Sequence, residues 1–284
     1  MGGNILTAIQ AIVNRSSLKV AENRQENIQN RANQMGAALE DYVKNAFANC
    51  LGQDYQSIRQ AHDETFSYIG NNTNPPDAIL TNSDAIEIKK IKTIGAVQLQ
   101  LNSSYPKNKL RRDNPKICKA CRDCEEDWEE KDMLYVVGAV EHEELQDIFF
   151  VYGDLYCDTH EIYERVENAI KDGIKSIEEV TVAETDELAR INKVDHLGIS
   201  DLRVRGMWLI KTPFQLFKDL TKEIKGYTFK LTALIPKYKY DEFENTDEFE
   251  KFCMKNRVSI SDQKIADPKN PAKYINSKLI VYYY

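Results

Sequence analysis

The chain has 284 residues, of which 42% are hydrophobic and 29% are charged, a balance typical of a globular protein. No stretch approaches the roughly 20 apolar residues that a membrane span requires, and the first residues lack the basic region of a signal peptide. The composition therefore argues against a membrane protein and predicts a cytoplasmic location. The net charge of −7 argues mildly against nucleic acid as a partner.

The chain begins with a region of helical character. Residues 4–50 contain no proline and are rich in Ala, Gln, Asn, Glu and Leu. Leu39, Val43 and Phe47 recur at helical spacing, which predicts a helix with one apolar face, and Glu40 lies beside that face.

A β-hairpin is predicted next. Residues 71–75 form a turn-rich break, after which Asp77–Leu80 has the short apolar pattern of a strand. Thr81–Asp84 has turn residues, and Ala85–Ile91 alternates between apolar and polar side chains as a second strand does. Alternate residues of such a strand point to the same face.

The later elements mix strands with helices. Residues 102–116 contain two prolines and many polar residues, which predicts a basic loop. The mixture predicts an α/β (or α+β) fold with a central mixed sheet flanked by helices. The predicted strands are 134–140, 148–152, 202–210, 227–235 and 279–284, and the predicted helices are 161–174 and 214–224.

Charge is distributed unevenly in the middle of the chain. Residues 87–119 hold nine Lys and Arg against two acids, a net charge of +7, and residues 120–147 hold eleven acids against two bases, a net charge of −9. A basic block inside an acidic protein is typical of a focused phosphate-binding surface. The alternative is that the two blocks neutralise each other in the folded protein.

One constellation of residues could hydrolyse a phosphodiester bond. Asp77 and Glu87 would lie on paired strands about 4.8 Å apart, and Glu87 and Lys89 would share one strand face. Two carboxylates can bind Mg²⁺, which stabilises negative charge and acidifies water. A neighbouring lysine can position the attacking water, although a solvated strand face is the ordinary use of such a pattern.

This acidic pair followed by a lysine resembles the signature of the PD-(D/E)xK nucleases. Further blocks over about residues 35–215 resemble the NgoPII-type restriction endonucleases, and together they are more specific than the acidic pair alone. These blocks are Glu87-Ile88-Lys89-Lys90, Asn102-Ser103-Ser104-Tyr105-Pro106-Lys107 with Lys109-Leu110, Ala120-Cys121-Arg122 with Cys124-Glu125 and Trp128, and Gly198-Ile199-Ser200-Asp201-Leu202-Arg203-Val204-Arg205-Gly206-Met207-Trp208.

The resemblance implies a magnesium-dependent type II restriction endonuclease that acts as a homodimer on a short palindrome, GGCC being the site associated with the family's named member. It implies that Asp77, Glu87 and Lys89 are catalytic, with Mg²⁺ on the two carboxylates. Glu40 resembles the helix glutamate that some of these nucleases place near the metal, and a plain surface carboxylate is the alternative. Residues 1–284 would form one endonuclease domain, with a helical region over about 1–50 and a catalytic core over about 51–240.

A DNA-contacting surface is expected around the basic loop. Its cations would contact phosphates and its amides and hydroxyls would read base edges, with plain turn chemistry as the alternative for the latter. Two arginines of the 202–210 strand would read guanines or would pair with acids of the chain. The predicted contacts are Lys90, Gln98, Asn102, Ser103, Ser104, Tyr105, Lys107, Lys109, Arg111, Arg112, Arg203 and Arg205.

Three of the six cysteines, Cys118, Cys121 and Cys124, lie at a spacing that could bind zinc. In a reducing compartment, this spacing indicates a metal site or plain thiols rather than disulfides. A structural zinc needs four ligands, and it would brace the loop without a part in cleavage. The candidates for the fourth ligand are Cys157, His142 and His160.

Three hypotheses follow from these patterns. The first is a restriction endonuclease that acts on double-stranded DNA. The second is a DNA-binding or repair nuclease of the same fold without site-specific cutting, and the third is a zinc-containing structural or interaction protein. The chain contains no GxxxxGK[ST] phosphate loop, so no NTP-driven motor is expected, and it contains no GxSxG nucleophile motif.

Overall fold

A large mixed sheet forms the centre of the protein. The computed structural model describes residues 3–15, 31–71, 74–102, 105–177, 181–183, 185, 187–195, 197 and 199–284, and Ser103 and Ser104 therefore lie outside the described residues. The strands are β1 (Phe66–Asn71), β2 (Asn74–Leu80), β3 (Ala85–Ile91), β4 (Gln98–Asn102), β5 (Lys109–Arg111), β6 (Glu130–Glu141), β7 (Glu144–Tyr152), β8 (Thr181–Ala183), β9 (Ala189–Asn192), β10 (Leu202–Val204), β11 (Met207–Lys211), β12 (Lys230–Pro236), β13 (Ser259–Asp267) and β14 (Asn270–Tyr283).

Short and medium-length helices surround the sheet. Among the described helices, none is long and apolar enough to span a membrane. The helices are α1 (Ile5–Val13), α2 (Arg31–Phe47), α3 (Tyr55–Thr65), α4 (Lys119–Arg122), α5 (Gly153–Tyr156), α6 (His160–Lys175), α7 (Pro213–Leu216), α8 (Lys237–Asp241) and α9 (Thr246–Asn256), with a 3-10 helix at Lys218–Leu220.

The strand order in the central sheet is β1-β2-β3-β6-β7-β12-β14-β13, and β5 pairs with β6. The neighbours β3 and β6 run parallel, as do β7 and β12, and the other pairs are antiparallel. Strands β13 and β14 bring residues beyond 240 into the sheet. The described part of the chain thus confirms the predicted class, a mixed α/β protein with a central mixed sheet.

Helices α1 and α2 cover one face of the sheet. The predicted stripe of Leu39, Val43 and Phe47 is buried in a core that also contains Ile86 and Ile88 of β3. Helix α2 also packs closely against β6, because a Cβ added at Gly138 would come within 2.8 Å of the Leu39 side chain. Burial of this apolar face, rather than helix propensity, holds α2 on the sheet.

The other face of the sheet carries the residues of β3 that alternate with Ile86 and Ile88. Ile91 is buried there with Val137 of β6 and with Leu99 and Leu101 of β4. Strands β4 and β11 pair with each other outside the central sheet and pack on this face. This arrangement leaves Glu87 and Lys89 half-buried between two apolar clusters.

Several local predictions are confirmed. The hairpin consists of β2 and β3 around a turn that starts at Thr81, and α6 contains the predicted helix 161–174. The strands 134–140 and 148–152 lie within β6 and β7, and the C-terminal strand is part of β14.

Two local predictions are wrong. Residues 202–210 form two strands, because β10 pairs with β9 in a small separate sheet whereas β11 pairs with β4. Residues 214–224 do not form one helix, since α7 ends at Leu216 and is followed by the 3-10 helix. Packing explains the second error, because Phe214 and Phe217 both contact Phe149 and a short helical turn is enough to bring them there.

Candidate active site

The hairpin brings the two predicted catalytic carboxylates together. Ala78 pairs with Ile86 and Ile79 with Ala85, and the same register continued by one residue puts Asp77 opposite Glu87. Direct neighbours across an antiparallel pair have their Cβ atoms about 4.5–5.5 Å apart. The pairing of two short, locally connected strands is therefore sufficient to form the acidic pair.

Lys89 completes the group. Its Nζ lies 2.6 Å from Oε1 of Glu87 and 3.9 Å from Oδ2 of Asp77, and it also donates to the Ile88 carbonyl at 3.2 Å. The backbone N–H of Ile88 donates to Oδ2 of Asp77 at 2.6 Å. These contacts hold both carboxylates and the ammonium in one orientation, which preorganises the site.

The group has two carboxylates, Asp77 and Glu87, but only one ammonium in contact with them, that of Lys89. Burial and the neighbouring Glu87 carboxylate raise the pKa of Asp77 to about 7. Burial acts to raise the pKa of Glu87 as well, but Lys89 and Lys107 outweigh it and hold that pKa below its ordinary value. One lysine thus compensates one carboxylate, and the second carboxylate is only partly ionised at neutral pH.

Glu40 comes close enough to act on this group. Its charge contributes to raising the pKa values of both Asp77 and Lys89, although burial and nearer groups act more strongly on each. Its own carboxylate lies 3.7 Å from Nζ of Lys44 on the same helix. Helix α2 therefore supplies a third acidic side chain to the surroundings of the site.

Lys107 was predicted to contact phosphate on the surface, but its side chain is buried near Glu87. The Tyr135 hydroxyl accepts from the Lys107 backbone N–H at 2.8 Å and donates to the Lys107 carbonyl at 3.1 Å. Tyr135 is also the register partner of Glu87 in the parallel pair of β3 and β6. Sequence reasoning missed this placement, because no short-range pattern links Lys107 or Tyr135 to the hairpin.

The donor set of Asp77 and Glu87 fits a hard divalent cation. Two carboxylates repel each other in a partly buried position, and a cation between them would allow both to ionise. Within the described residues, no group of three or more His, Cys, Asp and Glu side chains is arranged to hold a metal ion by itself. Mg²⁺ often uses one or two carboxylates and completes its shell with water and substrate phosphate oxygens, which this pair permits.

The structure gives no support to the predicted zinc site. The thiols lie near the Tyr68 hydroxyl, because all three help to raise the pKa of Tyr68, although burial raises it most. Sγ of Cys118 lies 3.3 Å from that hydroxyl, and the other two thiols belong to Cys121 and Cys124. In the part of the chain that is described, however, no three such side chains form a metal-binding arrangement. The candidate fourth ligand Cys157 is buried beside Tyr135, and burial raises its pKa to about 12, which disfavours the thiolate. The other two candidates are near acids instead, His142 3.9 Å from Glu141 and His160 3.5 Å from Glu161.

Much of the basic block is paired with acids inside the protein. Lys109 contacts Asp132 and lies 3.4 Å from Asp154. Arg111 contacts Asp113. The neutralisation between the two blocks that sequence analysis left open therefore occurs between Lys109 and Asp132, whereas Asp113 belongs to the basic block itself. Lys116 pairs with Glu167, an acid outside both blocks, at 2.9 Å, and Arg112 donates to the Glu126 carbonyl at 2.9 Å.

The two candidate guanine-reading arginines share one acidic partner. Arg203 Nη2 and Arg205 Nε each lie 2.6 Å from Oε1 of Glu187. Tyr105 is also engaged, since its hydroxyl donates to Glu164 at 2.7 Å and its ring stacks on Tyr163. Any DNA contact by these three side chains remains a prediction and would require them to give up or share these partners.

A helix-flanked mixed sheet that presents paired carboxylates and a lysine defines a class, the nucleases with a restriction-endonuclease-like fold. A model of the NgoPII restriction endonuclease family matches residues 3–266 of the chain. The Type II restriction enzyme NgoPII of Neisseria gonorrhoeae is 43% identical over 281 residues, which cover 99% of this chain and 99% of that enzyme. No solved structure matches the chain.

The chain therefore belongs to the NgoPII restriction endonuclease family. Membership confirms the resemblance found in the sequence and the prediction of a site-specific deoxyribonuclease. It favours the first of the three hypotheses over a repair nuclease or a zinc-containing structural protein.

Proposed function

We propose that the protein cuts both strands of DNA at a short palindrome in a magnesium-dependent reaction, with GGCC as the first sequence to test. The observation that supports this most directly is the group of Asp77, Glu87 and Lys89, in which the pKa of Asp77 is raised to about 7. In this proposal Asp77 and Glu87 hold Mg²⁺. When bound there, the ion would supply charge stabilisation and a more acidic water.

The chain's own residues have separate tasks in this proposal. Lys89, held by Glu87 at 2.6 Å, keeps a positive charge at neutral pH, because Glu87 and Asp77 outweigh the effect of burial on its pKa. Its ammonium can orient the attacking water or neutralise charge that develops on the phosphate. The Ile88 N–H fixes the Asp77 carboxylate, and Lys107 contributes further positive potential at Glu87.

The proposal includes a homodimer that works in the cytoplasm. One copy of the site can cut one strand, so cutting both strands of a palindrome at equivalent bonds calls for two copies related by a two-fold axis. The symmetry of the DNA site would then match the symmetry of the protein.

The experiment is digestion of long, sequenced, unmethylated DNA with the full chain. Wild type with Mg²⁺ is compared with wild type in EDTA and with Asp77→Ala in Mg²⁺. We expect discrete fragments only with wild type and Mg²⁺, and the sequences of their ends give the site and the cut position. Full cleavage by Asp77→Ala would remove Asp77 from the reaction, and no cleavage by folded wild type would overturn the proposed function.

A further inference from the structure

Strands β4 and β11 form an antiparallel ribbon with one solvent-facing side. The register pairs Gln98 with Lys211 and Gln100 with Leu209, and all four residues are exposed. We call these four residues the outer face of the ribbon. Among the described residues, none forms a hydrogen bond with the side-chain amide of Gln98 or Gln100 under the usual distance limit of 3.5 Å.

The ribbon lies on the same side of the sheet as the active site. Its buried residues Leu99 and Leu101 pack against Ile91. Ile91 follows Glu87 and Lys89 on one face of β3, about 7 Å beyond Lys89 at the rise of a strand. Because the inner face of the ribbon rests on the sheet, the outer face is directed away from the sheet on the side where the catalytic group lies.

The ribbon also has free positive charge. Within the described residues, no carboxylate lies within 4.0 Å of the ammonium of Lys92, in the connection that leads to β4, or of Lys211 on the outer face. By contrast, Arg203 and Arg205 both contact Glu187. The outer face is thus a better candidate for contact with a polyanion than the arginines that sequence analysis selected.

We propose that the outer face of the ribbon enters the major groove of the DNA, that Gln98 and Gln100 read base edges there, and that Lys211 contacts a phosphate. The major groove admits a two-stranded β-ribbon, and an amide can donate to and accept from one base. The exposed Leu209 adds an apolar surface on β11, opposite Gln100. This inference rests on the proposed function, since it names the specificity element of the same enzyme.

The test compares binding to two short labelled duplexes. One carries the site mapped from the digestion, and the other has the same composition with the site scrambled. Binding is measured by fluorescence anisotropy with Ca²⁺ in place of Mg²⁺. The variants are Gln98→Ala, Gln100→Ala and Lys211→Ala, and the matched control is Gln53→Ala, an exposed glutamine in the turn before α3.

We expect Gln98→Ala and Gln100→Ala each to weaken binding to the site duplex about tenfold or more, with little change on the scrambled duplex. Lys211→Ala should weaken both equally and reduce the salt dependence of binding. Gln53→Ala should change neither. Because the three positions on the ribbon are exposed, these variants should fold, and thermal unfolding checks that they do.

Two results would overturn the inference while leaving the proposed function intact. One is wild type that cuts at a site, with both glutamine variants retaining full discrimination between the duplexes. The other is that the glutamine variants elute as monomers in size-exclusion chromatography where wild type elutes as a dimer, while they still discriminate between the two duplexes as wild type does. That result would assign the outer face to contact with a second copy of the chain. If wild type itself yields no discrete fragments, the proposed function fails and the inference fails with it.

Discussion

Replacing Asp77 with asparagine should stabilise the metal-free protein while abolishing cleavage. The pKa of Asp77 is raised from its ordinary value of 3.8 to about 7 by burial and by Glu87. The folded protein therefore retains a proton that the unfolded chain releases at lower pH. The free energy of unfolding consequently falls as pH rises from about 4 to about 7, because the carboxylate must ionise in an unfavourable place.

The size of this effect follows from the pKa difference. About three pH units correspond to about 4 kcal/mol at pH 8, since each unit is worth about 1.4 kcal/mol. Relaxation and water penetration reduce such penalties, so this value is an upper limit. The asparagine side chain would carry no charge and could still accept from the Ile88 N–H, so we expect Asp77→Asn to gain at least about 1 kcal/mol at pH 8.

The assay is urea denaturation of wild type and Asp77→Asn in EDTA at pH 5 and pH 8. The advantage of the variant should be up to roughly 3 kcal/mol smaller at pH 5, where most of the wild-type side chain is protonated in the folded protein. With Mg²⁺ and DNA, cleavage by the variant should fall by at least about 10³-fold. An advantage that does not change with pH, or a variant less stable than wild type at pH 8, would refute the electrostatic reasoning.

Two further substitutions test neighbouring parts of the structure. Lys109→Ala should lower the free energy of unfolding by about 1–2 kcal/mol, because Asp132 and Asp154 each lose one cation but keep another, Lys239 at 2.7 Å and Lys269 at 3.0 Å. Lys92→Ala at an exposed position should change it by less than about 0.5 kcal/mol. Equal effects in urea denaturation would contradict this role. Glu40→Gln should move the acidic limb of the pH–rate profile to lower pH, because Glu40 helps to raise the pKa of Asp77; a rate loss above about 100-fold at pH 8 would instead make Glu40 a metal ligand.

The catalytic group could be predicted from the sequence because it depends on local structure. A turn that starts at Thr81 returns the chain on itself, and the two-residue period of a strand puts Glu87 and Lys89 on one face. The helical spacing of Leu39 and Val43 likewise predicted which face of α2 is buried. In each case the physical cause, a backbone period or a tight turn, acts over fewer than about fifteen residues.

The partners of the charged residues were decided by the tertiary structure. Lys107 lies beside Glu87 because Tyr135, on the next strand of the sheet, holds its backbone. Lys109 is occupied by Asp132 of a neighbouring strand, so a cation that looked free for phosphate is neutralised inside the protein. The composition gives the number of these charges but not their partners, because the partners depend on which strands become neighbours.

The division of residues 202–210 has the same origin. Their sequence predicts one strand, yet Val204 pairs with Ala189 in the small sheet and Met207 pairs with Asn102 in the ribbon. The sequence by itself determined the turn of the catalytic hairpin, the start of its second strand at Ala85 and which way the side chains of that strand point, whereas the first strand begins at Asn74, before the predicted Asp77. Only the fold decided which distant strand each segment joins, because that choice depends on apolar faces, such as Leu99 against Ile91, that meet across long stretches of chain.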